Sequence, residues 1–509
     1  MKINLLDYFN EGALLNFPNK LAIIDGDRKL SFKELEHYSK NLSSQIGSHL
    51  QSSGVPVAVF MPKCAEVIIS NLAILYSGNF YTNFDFNSPK DRLKTLIESI
   101  SPKIIITNQE GLNLLKEFHL LDAILIMNVK EALIDKVLYS TSVISKTITK
   151  KIDTDPACII STSGSTGIPK SVVLSHRNII DFIDWCIDTF TFNQSDVIGS
   201  LSPFHFDIYI LELFVSLNQG SVIHIIPPKE SFFPADLVNF LLKNSITFIF
   251  WVPTIMVNIS NLDILDAINL SKLKKVFFAG EVFPAKHLNY WRTKLPDAKF
   301  VNLYGPIEIA VDCTYYVVNR FFEDGESVPI GKPCRNTDII ILDNNNKSVK
   351  DGEQGELCVR GSSLSLGYYN NLDQTNKVFV QNPLINSYPE KIYRTGDLVY
   401  RNTHGEIMFI GRKDFQIKHM GYRIELLEIE LAALSMHEVK NACILYNNAL
   451  KQIIMVFESD YDLTNTSIRL KLSSKLPKYM LPTNIKKVDL IPRNSNGKID
   501  RQKLLLEFL

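Results

Sequence analysis

The chain has 509 residues, enough for a large core and for more than one domain. Its 54 Lys and Arg balance 54 Asp and Glu, so charge gives no case for nucleic acid or an anionic membrane as main partner. Hydrophobic residues at 46% and charged residues at 21% fit an ordinary globular protein.

The opening segment, Met1 to Gly12, lacks the basic region and uninterrupted apolar stretch of a signal peptide. The most apolar run, Ile246 to Met256, is too short to span a bilayer, and a cytoplasmic location is expected. The cysteines at 64, 158, 186, 313, 334, 358 and 443 form no CxxC pair and read as reduced buried thiols.

In chain order, Val55 to Met61 reads as a buried strand and Ala65 to Ser77 as the helix after it. Further buried strands are expected at Lys103 to Thr107, Ala157 to Ile160, Ile246 to Val252 and Lys275 to Ala279. Alternation of such runs with helical patterns is the signature of α/β layers. From Gly331 to Gly367, short strands with Gly, Asn and Asp turns imply a smaller β-rich subdomain.

After Gly411-Arg412-Lys413-Asp414 a new unit begins. It reads as a helix (Glu425 to Leu434), two strands (Ala442 to Tyr446, Gln452 to Glu458) and a helix (Thr466 to Leu476), then a polar loop (Pro492 to Gly497) and a short helix. The fold class expected is α/β: an N-terminal core, 1–413, of layered α/β subdomains plus the β-rich one, and a small α+β domain, 414–509.

The strand Ala157 to Ile160 runs into Ser161-Thr162-Ser163-Gly164-Ser165-Thr166-Gly167-Ile168-Pro169-Lys170. Glycines let backbone approach phosphate oxygens, hydroxyls donate hydrogen bonds, and the lysine adds positive charge. A generic Ser/Gly surface loop is the bland alternative, which the fixed order and the closing Pro-Lys disfavour. A Walker A loop needs Gly directly before its Lys, and Pro169 stands there instead.

This segment resembles the phosphate-binding signature of the adenylate-forming superfamily, which includes acyl-CoA synthetases, luciferases and the adenylation domains of nonribosomal peptide synthesis. The resemblance continues, in the family's order, through Leu30 to Leu35, Tyr81 to Asp85, Tyr304-Gly305-Pro306-Ile307-Glu308, Gly355-Glu356-Leu357, Tyr393 to Asp397, Gly411 to Asp414 and Asn496-Gly497-Lys498. It implies ATP and Mg²⁺, with carboxylate attack on the α-phosphorus and departure of pyrophosphate. It also implies phosphate contacts from Thr162, Ser163, Gly164, Ser165, Thr166, Gly167 and Lys170. Glu308 would hold Mg²⁺, and the nucleotide would meet Gly280, Glu281, Asn302, Leu303, Tyr304, Gly305, Asp397 and Arg412. Lys498 would neutralise charge between carboxylate and α-phosphate. Asp414 would be the hinge, and Lys418, Gly421 and Tyr422 would line a thiol tunnel. Two departures stand out: Ile307 where Thr is usual, and Ser171 where Gly is common.

The same resemblance assigns Asp207 to a substrate ammonium, with a helix N-cap as the plain alternative. The remaining pocket positions would be Ile208, Leu211, Phe250, Phe277, Ala279, Leu303, Val311 and Asp312. Apart from Asp312 the set is apolar and bulky, which suits a compact side chain or ring. It looks most like free-standing prolyl-carrier-protein ligases, next like D-alanyl-carrier-protein ligases. Only Ile499 to Leu509 follow Lys498, so a separate phosphopantetheinyl carrier protein is the expected partner. An acyl- or aryl-CoA ligase would leave Asp207 without an ammonium. A binding protein that had lost catalysis would have no need of Lys170, Glu308, Asp397, Arg412 and Lys498 together.

Overall fold

The computed structural model describes residues 2–50, 52–120, 124–134, 144, 147–163, 169–413, 416–493 and 499–508. The chain divides into two units. The larger comprises Met1–Phe86, Pro102–Ile160 and Val172–Lys413; the other comprises Asn87–Ser101, Ser161–Ser171 and Asp414–Leu509.

Among the described residues, a seven-stranded sheet has the spatial order Gly367–Tyr368, Lys170–Ser175, Pro156–Thr162, Phe80–Asn83, Pro56–Phe60, Ile104–Thr107, Leu125–Asn128. Every residue of Pro56–Phe60 is buried, as expected of a parallel strand covered on both faces. A nine-stranded sheet runs in the order Lys332–Pro333, Thr314–Val317, Lys299–Tyr304, Lys275–Ala279, Phe248–Trp251, Val197–Ser200, Val222–Ile225, Leu21–Asp25, Arg28–Ser31. A five-stranded antiparallel sheet over Thr337–Leu342, Gly355–Gly361, Phe379–Gln381, Lys391–Arg401 and Ile407–Arg412 forms the β-rich part.

Two of the longer helices begin at side-chain caps. Ser31 and Glu34 form a reciprocal capping box ahead of Phe32–His49, and Ser175 and Asn178 do the same ahead of His176–Thr189. Among the described residues no helix is long and apolar enough to cross a membrane.

In the other unit, Asn441–Asn447 pairs antiparallel with Gln452–Glu458, which pairs parallel with Asn484–Lys487. Leu426–Leu434 and Asn465–Ser473 share a hydrophobic cluster with this sheet through Ile429, Ala433, Ile468 and Leu472. The helix expected over Thr466 to Leu476 thus ends at Ser473. Lys418, Gly421 and Tyr422 lie on a two-stranded hairpin, Gln416–His419 against Tyr422–Glu425. Met420 and Gly421 both take positive φ, 52° and 82°, as a type I′ turn demands.

Candidate functional site

In the larger unit, parallel register sets the apolar surface. Phe250 pairs with Phe277, and Ala279 pairs with Leu303, which places these four on one face of the nine-stranded sheet. With Ile208, Leu211 and Val311 they belong to a single buried cluster. Phe190 meets Phe277 edge-on at 4.7 Å between ring centroids, so the cluster is aromatic in its depth. Asp312 is 3% exposed, and its charge helps hold the Cys186 and Cys334 thiols above the usual range, behind the larger effect of burial.

Asp207 is half-buried at the start of the helix Ile208–Gln219, where its Oδ1 accepts the Ile208 N–H at 3.0 Å. It therefore does the helix-capping work of the plain alternative, and its half-burial leaves it wetter than its apolar sequence neighbours imply.

Glu308 is fully buried in the turn Ile307–Ile309. The Tyr368 hydroxyl donates to its Oε1 at 2.8 Å, and the Ser365 N–H donates to its carbonyl at 2.9 Å. Gly305 lies against the same turn: a Cβ there would sit 2.4 Å from Asp312 Cα and 2.6 Å from the Val311 carbonyl oxygen. Among the described residues no group of three or more His, Cys, Asp and Glu is arranged to hold a metal ion. A lone carboxylate nevertheless fits Mg²⁺, which commonly takes one or two carboxylates plus substrate phosphates and water.

Asp397 and Arg412 are cross-strand partners. Arg412 donates to Asp397 Oδ1 at 2.7 Å and to the Thr395 carbonyl at 3.0 Å, while the Tyr304 hydroxyl donates to Asp397 Oδ2. Burial, then the Asp397 charge, pushes the Tyr304 phenol far above its ordinary value, so it stays a donor. Gly280 has φ 93°, a conformation only glycine takes freely. Glu281 accepts from the Thr254 N–H and hydroxyl, and the Asn302 amide donates to the Pro329 carbonyl. These two side chains hold local backbone, a role their sequence context did not suggest.

In the other unit, the ends of the Gly-rich segment meet the hairpin. Ser163 Oγ donates to the Arg423 carbonyl at 2.5 Å and accepts the Glu425 N–H at 3.2 Å. Lys170 Nζ lies 2.9 Å from Glu425 Oε1, which also accepts from Gln416 at 2.6 Å. Thr162 Oγ1 is shielded and has no hydrogen-bond partner among the described residues. Tyr422 stacks on Tyr479 at 3.5 Å between centroids, beside Lys418 and Gly421 on the hairpin. Gly164, Ser165, Thr166, Gly167, Asp414 and Lys498 lie outside the described residues.

Sequence reasoning missed Tyr368 and Glu425, whose partners Glu308 and Lys170 stand 60 and 255 residues away, so no local spacing points to them.

The family model described as AMP-binding enzyme matches residues 11–369. The chain is 31% identical over 491 residues to tyrocidine synthase 1 of Brevibacillus parabrevis, covering 96% of this chain and 44% of that protein. It is 29% identical over 504 residues to zwittermicin A synthase ZmaJ of Bacillus cereus, covering 97% and 94% respectively. Thus it spans less than half of the first relative and nearly all of the second. The fold is similar, with a TM-score of 0.83, to the Vibrio cholerae adenylation domain AlmE in complex with glycyl-adenosine-5′-phosphate; identity is 20%, covering 100% of this chain and 98% of that one.

Proposed function

The chain belongs to the AMP-binding enzyme family, and from that premise we propose that it joins an amino acid, L-proline by best fit, to AMP with release of pyrophosphate. The aminoacyl group then passes to the phosphopantetheine thiol of a separate carrier protein. The observation that carries this reading is Asp207, a half-buried carboxylate at the head of a helix whose next residue, Ile208, enters the apolar cluster with Leu211, Phe250 and Phe277. A carboxylate beside an apolar cluster suits an ammonium carried on a compact apolar group. Titles of similar proteins agree in class: one solved structure is an artificially fused adenylation-PCP di-domain NRPS, and AlmE was solved with glycyl-adenosine-5′-phosphate. Glycine's small size keeps D-alanine as second choice.

In this reading Lys170 and the Gly-rich segment hold the phosphates, and Asp397, gripped by Arg412 and Tyr304, faces the ribose hydroxyls. Glu308 would hold Mg²⁺, which would neutralise phosphate charge. Glu281 and Asn302 contribute by keeping backbone near the nucleotide in place. Asp414 acts as hinge, Lys498 supplies the mobile charge, and Lys418, Gly421 and Tyr422 line the thiol path.

ATP–pyrophosphate exchange with L-proline, D-alanine, L-alanine, L-valine and simple carboxylic acids tests this. Strong exchange with L-proline alone supports it. A lead by D-alanine keeps the mechanism and changes the substrate. Exchange only with acids lacking an amino group removes Asp207's role.

A further inference from the structure

The loop that carries Asp207 is held by a buried charge network that the proposed chemistry does not use. Strand Val197–Ser200 ends at Ser200, and Asp207, the cap of helix Ile208–Gln219, follows seven residues later. Lys63, just past strand Pro56–Phe60 of the seven-stranded sheet, reaches across to the nine-stranded sheet. Its Nζ donates to the Ser200 carbonyl at 2.7 Å and stands 5.0 Å over the Phe204 ring. The Ser200 hydroxyl in turn donates to Glu212 Oε2 at 2.5 Å. Glu212 is fully buried on the same helix as Asp207, and its Oε1 has no hydrogen-bond partner among the described residues.

Two further ties complete the loop. Asn83 donates to the Phe204 carbonyl at 2.7 Å, and the Phe204 ring packs on Tyr209 at 4.3 Å. Burial pushes the Glu212 carboxyl up and the Lys63 ammonium down, and each charge pulls the other part of the way back. Such a buried pair adds little net stability, because desolvation offsets attraction. What it adds is geometry: a cation that fixes one end of the loop and one of its rings, and an anion that fixes the same serine to the helix.

We propose that Lys63, with Glu212 as its counter-charge, is a positioning residue for the amino-acid site, clamping the Ser200–Phe206 loop so that Asp207 meets the substrate ammonium. This rests on Asp207 binding that ammonium. Lys63 and Glu212 act through the loop, on Ser200 and Phe204, so their loss falls on amino-acid binding and leaves the ATP site alone.

The test measures KM for amino acid and for ATP, with kcat, by pyrophosphate exchange. Lys63→Met alone leaves Glu212 as a lone buried anion and endangers folding, so the informative variant is Lys63→Met with Glu212→Gln. This removes both charges and keeps an acceptor for Ser200. The expected result is an amino-acid KM raised about tenfold, which is ~1.4 kcal/mol, with the ATP KM within about twofold. Lys63→Arg, which keeps a donor for the Ser200 carbonyl, recovers most of the loss. Equal rises in both KM values, or neither rising in the folded double variant, overturn the proposal. Asp207→Asn separates the two ideas: if it raises the amino-acid KM while the double variant does not, only the clamp fails. No amino-acid-dependent exchange in the unsubstituted protein overturns the functional reading and the clamp together.

Discussion

Replacing His176 with Asn should change how stability depends on pH, by an amount the structure sets. His176 opens the helix His176–Thr189 directly behind its Ser175 cap and is 3% exposed. Its Nδ1 accepts the Leu5 N–H at 3.2 Å, which requires a neutral ring. Burial first, and the nearby Lys151 charge second, lower its pKa from 6.5 to about 4. In the unfolded chain the ring protonates near 6.5, so between 6.5 and about 4 the unfolded state binds the extra proton. The contribution is therefore fully present above pH 6.5 and drains away as pH falls through about 4. At 1.36 kcal/mol per pH unit, the interval from 6.5 to about 4 is worth about 3 kcal/mol. Urea unfolding followed by tryptophan fluorescence is the assay, since Trp185, Trp251 and Trp291 all lie in the larger unit. Carboxylates titrate in the same window, so the quantity to plot is the difference between the unsubstituted protein and His176→Asn, whose amide can still accept from Leu5. That difference should move by about 3 kcal/mol in favour of the variant between pH 7.5 and 4. A difference constant to within about 0.5 kcal/mol would refute the reasoning.

Other substitutions probe the site. Tyr368→Phe removes the 2.8 Å donor to buried Glu308 and should cost about 0.5–1.5 kcal/mol of folding stability, the range for one lost hydrogen bond; urea unfolding reads it. Gly305→Ala would press a Cβ on the backbone of Val311 and Asp312, and thermal unfolding should show a loss of about 1–3 kcal/mol. Lys498→Ala should slow adenylation by roughly 10²-fold in single-turnover measurements, and a loss under about tenfold would end its proposed role.

The parallel strands were legible because both of their faces are buried. Lys275–Ala279 lies where its Val-Phe-Phe run predicts, parallel to both neighbours. The hairpin Gln416–Glu425 was not, since its turn puts Met420 at φ 52°, where a residue with a side chain gives no warning. Helix ends were less legible than helix bodies: Asn465–Ser473 stops short of Leu476 because Pro477 has no N–H for the Ser473 carbonyl and bars helix from the residue before it.

At the site the division follows physical need. A residue that meets a phosphate or a ribose must be one of a few chemical types at a fixed place in the chain, so a motif can announce it. Its partner has only to present a donor or acceptor in the right direction, and the fold can draw that from anywhere. Lys170 finds Glu425 255 residues away, and Asp207's loop is steadied by a lysine from another sheet. Glu281 shows the converse: a residue named by its motif spends its carboxylate on the Thr254 backbone and hydroxyl. Conservative changes at such partners, Lys63→Arg against Lys63→Met for one, therefore separate what the reaction demands from what the fold alone supplies.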